Sequence, residues 1–239
     1  MTLSNIEESS ISEQISTEND DKLQWIDNAA KIISTVFHPV FVPTYFIVVL
    51  LVLGANITLV PWLAQLLLVS QVFISTCLVP VFILPVFKKR RIINSMEMNE
   101  KEERLFPILT MILSMLLCII AFEYFLYKAN LPKYMLYILD KYNSFLIGGL
   151  FSLSMAAFLN QYFKISLHMI AGGGWVAAVL YLNIQLMYRT DLIIWSFIIT
   201  GITASARLWL YAHKPKEIYI GFGVGFATML IYLIVTKLL

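Results

Sequence analysis

The chain has 239 residues, of which 59% are hydrophobic and only 13% are charged, and its formal net charge is +2. A soluble domain usually carries about 25% charged residues, so this composition excludes an ordinary water-facing globule. The high hydrophobicity excludes a disordered chain, and the two cysteines exclude a disulfide scaffold. The nearly balanced charge gives no indication of a nucleic-acid partner. The composition therefore predicts an integral membrane protein.

Residues 1–31 differ in composition from the rest of the chain. Acidic side chains are set among Ser, Thr and Asn there, and only two residues of the stretch are basic. Such a composition is typical of a solvated, mobile segment, and its last part has the pattern of a short amphipathic helix. The sequence therefore predicts a polar acidic N-terminal tail at 1–31 and a single transmembrane helical domain at 32–239.

Apolar runs of about 20 residues recur after residue 38, and each is long enough to cross about 30 Å of hydrocarbon as a helix. Backbone groups in lipid must satisfy their own hydrogen bonds, so such runs are expected to be helical. A membrane barrel would instead show alternating segments of about ten residues. We predict an all-α, polytopic bundle of about seven transmembrane helices. The predicted spans are 40–60, 65–87, 107–127, 144–162, 169–188, 191–211 and 217–237.

An odd number of spans places the tail and the links 88–106, 163–168 and 207–216 on one side of the membrane, which we call face A. Face A carries twelve of the 17 Lys and Arg residues, so the positive-inside rule makes it cytoplasmic. Cations that serve a site would bias this count, which leaves the orientation open.

Polar residues whose side chains can bind a ligand or take part in catalysis lie at helix ends on face A. They come from three links that are each separated by two spans, so they can converge at one membrane surface. Two histidines, two arginines and a carboxylate indicate phosphate chemistry, because Arg binds phosphate oxygens bidentately and His can be a nucleophile or a proton donor. The alternative is an ordinary interfacial cluster of snorkelling cations. The residues are Arg104, Ser166, His168, Arg207, His213 and Glu217.

The third link has the pattern Arg-x5-His-x3-Glu, formed by Arg207, His213 and Glu217. It resembles the Ser-Arg-x5-His-x3-Asp signature of the type 2 phosphatidic acid phosphatase superfamily. The second link, Ile165-Ser166-Leu167-His168, looks like that family's Pro-Ser-Gly-His. The first, from Lys101 through Arg104 to Pro107, is similar to Lys-x6-Arg-Pro. The resemblance follows the family's order and covers about residues 97–237, which leaves a six-helix phosphatase-like core as an alternative architecture.

The resemblance implies a role for each matching residue. His213 would attack phosphorus and form a phosphohistidine, Glu217 would orient that imidazole, and His168 would protonate the leaving alkoxide. The phosphoryl oxygens would be held by Arg207, Arg104, Lys101 and Ser166. No metal and no other cofactor is implied. Independently, the four-residue spacing of His213 and Glu217 predicts that one helical turn brings them together.

Several positions depart from the family pattern. Ala206 stands where the signature has Ser, Leu167 where it has Gly, and Glu217 where it has Asp. The position seven before Arg104 is Glu97 rather than Lys. These departures leave open an active phosphatase, one with an altered substrate, or an inactive relative.

The resemblance implies a metal-independent hydrolase that cleaves a phosphate monoester or pyrophosphate of a lipid. Its partners would be the bilayer and a lipid phosphate such as phosphatidic acid, phosphatidylglycerol phosphate, a polyprenyl phosphate or a lipid A phosphate. The alternative is a catalytically inactive relative that binds anionic lipid or serves as a membrane scaffold or transport component. The expected location is the cell (inner) membrane, with the family favouring a site on the extracytoplasmic side.

Three further features have structural interpretations. The glycines at 172–174 and at 221, 223 and 225 are typical of close helix packing in lipid. His38 precedes Pro39 at a helix start and is interpreted as structural. The two cysteines lie inside spans as small apolar residues.

Overall fold

The computed structural model describes residues 22–53, 61–92, 102–128, 132–186 and 190–238. These residues are 90% helical and form no strand. In chain order, the helices are α1 (22–36), α2 (Val42–Leu53), α3 (Trp62–Lys89), α4 (Leu105–Lys128), α5 (Lys133–Asn160), α6 (Leu167–Leu186), α7 (Thr190–Trp209) and α8 (Pro215–Leu238).

The described part of the chain contains seven segments long and apolar enough to cross a membrane, with α1 and α2 together forming the first at Lys22–Val52. This confirms the predicted all-α, polytopic membrane fold and the count of seven. The first segment begins earlier than predicted, because helix α1 starts inside the stretch taken for the polar tail. Residues 1–21 of that tail lie outside the described residues, as do residues 54–60 of the predicted first span.

A short 3-10 turn at Pro39–Phe41 separates α1 from α2. His38 has an extended backbone with ψ of 140°, as expected for a residue before proline. Its Nδ1 atom accepts a hydrogen bond from the Val40 N–H at 3.4 Å and so caps the turn. His38 therefore caps the turn at this helix start.

Helix α3 changes its winding in a π-helical turn at Ile74–Leu78. The Val79 N–H bonds to Ile74 rather than to Ser75, and Pro80 has no N–H to offer. The orphaned Ser75 carbonyl instead accepts a hydrogen bond from the Ser114 hydroxyl of α4. The irregular turn thereby fixes α3 against α4.

An aromatic cluster connects α2 to α5 in the core. The ring of Phe46 stacks on that of Phe145 with centroids 3.7 Å apart, and the edge of Trp175 from α6 meets it at 5.6 Å. All of Phe46, Phe145 and Tyr142 are buried. This cluster holds α2, and with it the turn at His38, against the rest of the bundle.

Helices α6 and α8 approach each other through glycines. A Cβ atom at Gly225 would overlap the carbonyl oxygen of Ile170, and one at Gly173 would overlap that of Phe222. At Gly221 a Cβ would lie 2.9 Å from the Ser166 carbonyl oxygen. Small residues four apart permit this backbone contact in lipid, where apolar burial alone does not drive association. The predicted packing role is confirmed for these three, whereas a Cβ at Gly223 would meet nothing within 4 Å.

We expect Gly225→Ala to destabilise the protein by about 3 kcal/mol, because the methyl group would force two backbones apart. Gly223→Ala is the matched control on the same helix, and it should leave stability unchanged or raise it by a few tenths to about 1 kcal/mol through helix propensity. Reversible unfolding in mixed detergent micelles measures both. Equal effects of the two variants would contradict the glycine contact.

Candidate functional site

A cavity of about 550 Å³ lies where the links before α4, α6 and α8 come together. Helices α3 and α4 supply an apolar wall, with Val81, Leu84, Phe87 and Met111 among its residues. The described lining includes no acidic residue. Its charged and polar side chains include Lys31, Ser34, His38, Arg104, His168, Arg207 and His213. The cavity is therefore suited to an anion attached to an apolar group.

His213 and Glu217 form a hydrogen-bonded pair at the start of α8. Nδ1 of His213 lies 2.8 Å from Oε2 of Glu217, and the His213 side chain is only 3% exposed. With the Nδ1–H donated to the carboxylate, the neutral ring has its lone pair on Nε2. Glu217 itself does not line the cavity, so it acts from behind the imidazole.

The pKa of His213 is lowered to about 4. Burial is the largest cause, and the positive charges of Arg104 and Arg207 add to it, while the hydrogen bond to Glu217 acts in the opposite direction. The imidazole is therefore neutral at physiological pH. A neutral ring with its lone pair on Nε2 is the form that a histidine nucleophile requires.

The turn between α7 and α8 sets the spacing of Arg207 and His213. The Ala212 N–H bonds to the Arg207 carbonyl at 3.2 Å, and the Tyr211 N–H bonds to that of Leu208 at 3.0 Å. These two bonds form a Schellman motif, in which the residue at Tyr211 adopts a left-handed conformation with φ of 51°. The chain then reverses, and Pro215 begins α8 in a position that tolerates its missing N–H.

Arg207 reaches across the site to the N-terminal part of the chain. Its Nη1 atom donates to the hydroxyl of Ser34 at 2.7 Å. Its Nε atom is buried and has no hydrogen-bond partner among the described residues. Arg207 lines the cavity, and its guanidinium charge favours an anion there.

His168 lies at the first turn of α6, where free backbone N–H groups favour negative charge. Its Nε2 atom lies 3.0 Å from the Ser34 carbonyl oxygen, and since a carbonyl only accepts, Nε2 carries a proton. The other ring nitrogen, Nδ1, is then the atom that exchanges a proton. Ser34 thus contacts two of the predicted site residues through different atoms.

Arg104 lies in a 3-10 turn, Glu102–Arg104, directly before α4. The side chain is 9% exposed, and its Nη1 atom lies 3.5 Å from the Ile165 carbonyl oxygen. Burial lowers the pKa of Arg104, while the charge of Glu217 acts in the opposite direction. Arg104 thus brings positive charge close to the His213–Glu217 pair.

Of the seven predicted site residues, four line the cavity. Arg104, His168, Arg207 and His213 line the cavity, and Glu217 bonds to one of them. Ser166 is fully buried beside Gly221, does not line the cavity, and its hydroxyl has no partner among the described residues. Lys101 lies outside the described residues.

Three residues of the site were missed by the sequence analysis: Lys31, Ser34 and His38. They precede all three motifs, and Lys31 falls in the stretch interpreted as a tail. The one signal was a His-Pro pair at the start of an apolar run, which has an equally good structural interpretation.

Helix α1 contacts the end of α7 beside the cavity. Asp27 accepts a hydrogen bond from the Trp209 indole at 2.7 Å, and Ser34 accepts one from Arg207. The two α1 residues are about 10 Å apart along their helix, whereas their partners are separated by only two positions near the end of α7. These contacts hold α1 against the end of α7, and Lys31 and Ser34 of α1 line the cavity there.

The described residues contain no group of three or more His, Cys, Asp or Glu side chains that could hold a metal ion. The positive charge of the cavity comes instead from Lys31, Arg104 and Arg207. No protein-family model matches this chain, and no curated protein and no solved structure matches it.

The lowered pKa of His213 predicts a pH dependence of stability. Its folded-state value, about 4, lies below the ordinary 6.5, so between these values the unfolded chain binds more protons. The contribution is complete above pH 6.5 and is lost as the pH falls toward 4. We expect His213→Asn to flatten the dependence of the free energy of unfolding on pH in this range. Asn keeps a donor for Glu217 but cannot titrate. Unfolding in mixed micelles across this range measures it, and parallel profiles for the two proteins would contradict the assignment.

Proposed function

We propose that the protein is a membrane phosphatase that hydrolyses a phosphate ester or diphosphate of a lipid through a phosphohistidine intermediate. The observation that carries the proposal is the neutral His213, held by Glu217 and facing a cavity with two arginines and His168. The resemblance of the three links to the type 2 phosphatidic acid phosphatase superfamily supports it.

In the first step, Nε2 of His213 attacks phosphorus and the bond from phosphorus to the lipid oxygen breaks. His168, which becomes protonated when the anionic substrate is bound beside it, gives its Nδ1 proton to that oxygen. The lipid therefore leaves as an alcohol, or as a monophosphate when the substrate is a diphosphate. Attack makes the His213 ring cationic, and the Glu217 carboxylate stabilises that charge through Nδ1–H. Arg207 and Arg104 hold the phosphoryl oxygens while charge redistributes.

In the second step, water attacks the phosphorus of the phosphohistidine. His168, now neutral, accepts a proton from that water, and the phosphorus–nitrogen bond breaks. Orthophosphate leaves, His213 regains its lone pair, and His168 is again protonated. The cycle therefore closes with the side chains of the cavity, Glu217 behind His213, and water.

An apolar recess of about 300 Å³ supports a lipid as the substrate. It lies between α2, α6 and α7, and Tyr45, Trp175, Thr203 and His168 are among its lining residues. Because His168 borders both this recess and the charged cavity, an acyl or prenyl chain in the recess would present its headgroup to the two histidines.

We expect purified protein in detergent to release phosphate from at least one member of a lipid phosphate panel, and His213→Asn to lower kcat by about 10³-fold or more. The fall in kcat would come from the missing nucleophile, because Asn still has a donor for Glu217. Glu217→Gln should lower kcat by a smaller factor, since it removes only the charge behind the ring. Phosphate that is bound covalently to the wild-type protein, and that is lost in acid but retained in alkali, would identify the phosphohistidine.

The matched control is Tyr219→Phe, an exposed residue of the same helix outside the cavity. It should keep wild-type kcat. Full activity of His213→Asn would contradict the proposal.

One observation favours a second function, the binding of anionic lipid without turnover. Ser166, the match to the serine of the second motif, does not line the cavity, and Ala206 has no hydroxyl. A wild-type protein that binds lipid phosphates and releases no phosphate from any of them would establish this alternative.

We propose that the site opens on the extracytoplasmic side of a cell membrane. Tyr211 beside the site is 95% exposed, and Tyr127 at the opposite end of α4 is 82% exposed. Both native cysteines are buried, so they give little background labelling. We expect Tyr211→Cys to react with a membrane-impermeant maleimide in intact cells, and Tyr127→Cys only after permeabilisation. The reverse pattern would make face A cytoplasmic, as its charge count predicts.

A further inference from the structure

We propose that His38 is a substrate-contacting residue, which donates its Nε2–H to a phosphoryl oxygen in the cavity beside His168. The inference rests on the proposed function, under which the bound anion is a substrate. It assigns to the site a residue that lies outside all three motifs. It also gives the N-terminal part of the chain a direct part in ligand binding.

The first argument is the position of the ring. His38 lines the same cavity as His168, Arg207 and His213. Its ring centroid lies 5.1 Å from that of His168, and the two planes meet at 83°. With this edge-to-face arrangement, both imidazoles border the same cavity. A phosphoryl group that reaches His168 therefore also comes within reach of His38.

The second argument is the hydrogen bonding of the ring. Nδ1 of His38 accepts from the Val40 N–H, so the neutral ring carries its proton on Nε2. No hydrogen bond from this Nε2 to a described residue is present, although the side chain is half-buried. Capping the turn thus sets the tautomer and leaves a donor for a ligand.

The third argument is that the donor is held in place before any ligand arrives. On one side, Ser34 of α1 binds both His168 and Arg207. On the other, the hydroxyl of Thr76, which bonds to the Val72 carbonyl at 2.9 Å, also lies 3.3 Å from the Val40 carbonyl oxygen, next to the turn that His38 caps. A donor fixed by its surroundings binds an anion at a lower cost in conformational entropy than a flexible side chain does.

The test separates capping from ligand binding by two substitutions. Asn at position 38 can accept from the Val40 N–H and keep the cap, but it is too short to place a donor at the position of Nε2. Gln places its amide nitrogen near that position. The probe is orthovanadate, whose binding is measured as the rise in thermal unfolding temperature of the full chain in detergent, so the assay requires no turnover.

We expect His38→Asn to unfold at the wild-type temperature without vanadate and to require about tenfold more vanadate for the same stabilisation. His38→Gln should recover most of the affinity. With a lipid phosphate that the wild type cleaves, His38→Asn should lower kcat/KM. If Asn is not tolerated, the length-matched pair His38→Gln and His38→Met gives the same comparison, with only Gln retaining affinity.

Equal vanadate affinity of His38→Asn and the wild type would overturn the inference, and so would a wild type that does not bind vanadate. Failure of the proposed function has a different signature. In that case the wild type binds vanadate in a His38-dependent manner, yet it releases no phosphate from any lipid of the panel.

Discussion

The backbone contact between α6 and α8 is the constraint on which the charged end of the bundle depends. His168 lies in the first turn of α6, Glu217 lies in the first turn of α8, and His213 comes just before α8. The separation of these helices therefore sets the separation of the two histidines. Gly173, Gly221 and Gly225 remove the side chains that would otherwise keep the helices apart. In lipid, close backbone contact of this kind replaces the burial that drives association in water.

The electrostatics of the cavity follow from this arrangement. Arg104 and Arg207 come from different links, and their charges oppose protonation of the buried His213. Glu217 lies behind the ring and acts in the opposite direction, yet burial prevails and the imidazole stays neutral. The cavity therefore combines a strong positive potential with an uncharged nitrogen lone pair. That combination is what the proposed phosphatase mechanism requires.

Much of the architecture could be predicted from the sequence because the hydrocarbon thickness fixes how long an apolar run must be. The alternation of spans likewise placed Arg104, His168, Arg207 and His213 at one end of the bundle. Side-chain direction was harder to predict, because the side of a helix that faces the site depends on the helices packed against it. Ser166 therefore looked equivalent to His168 in the sequence, but it is buried away from the cavity, and Gly223 looked equivalent to Gly225 but faces outward.

The contribution of α1 could not be predicted, because it depends on contacts between residues 134 and 173 positions apart in the chain. Ser34 has no unusual local sequence, yet its hydroxyl binds Arg207 and its carbonyl oxygen binds His168. The position before Arg207, which is serine in the family signature, is the buried Ala206 here. The hydroxyl that contacts Arg207 therefore comes from another helix. A motif read along the chain records which residues are adjacent in sequence, whereas the chemistry of a site depends only on which groups are adjacent in space.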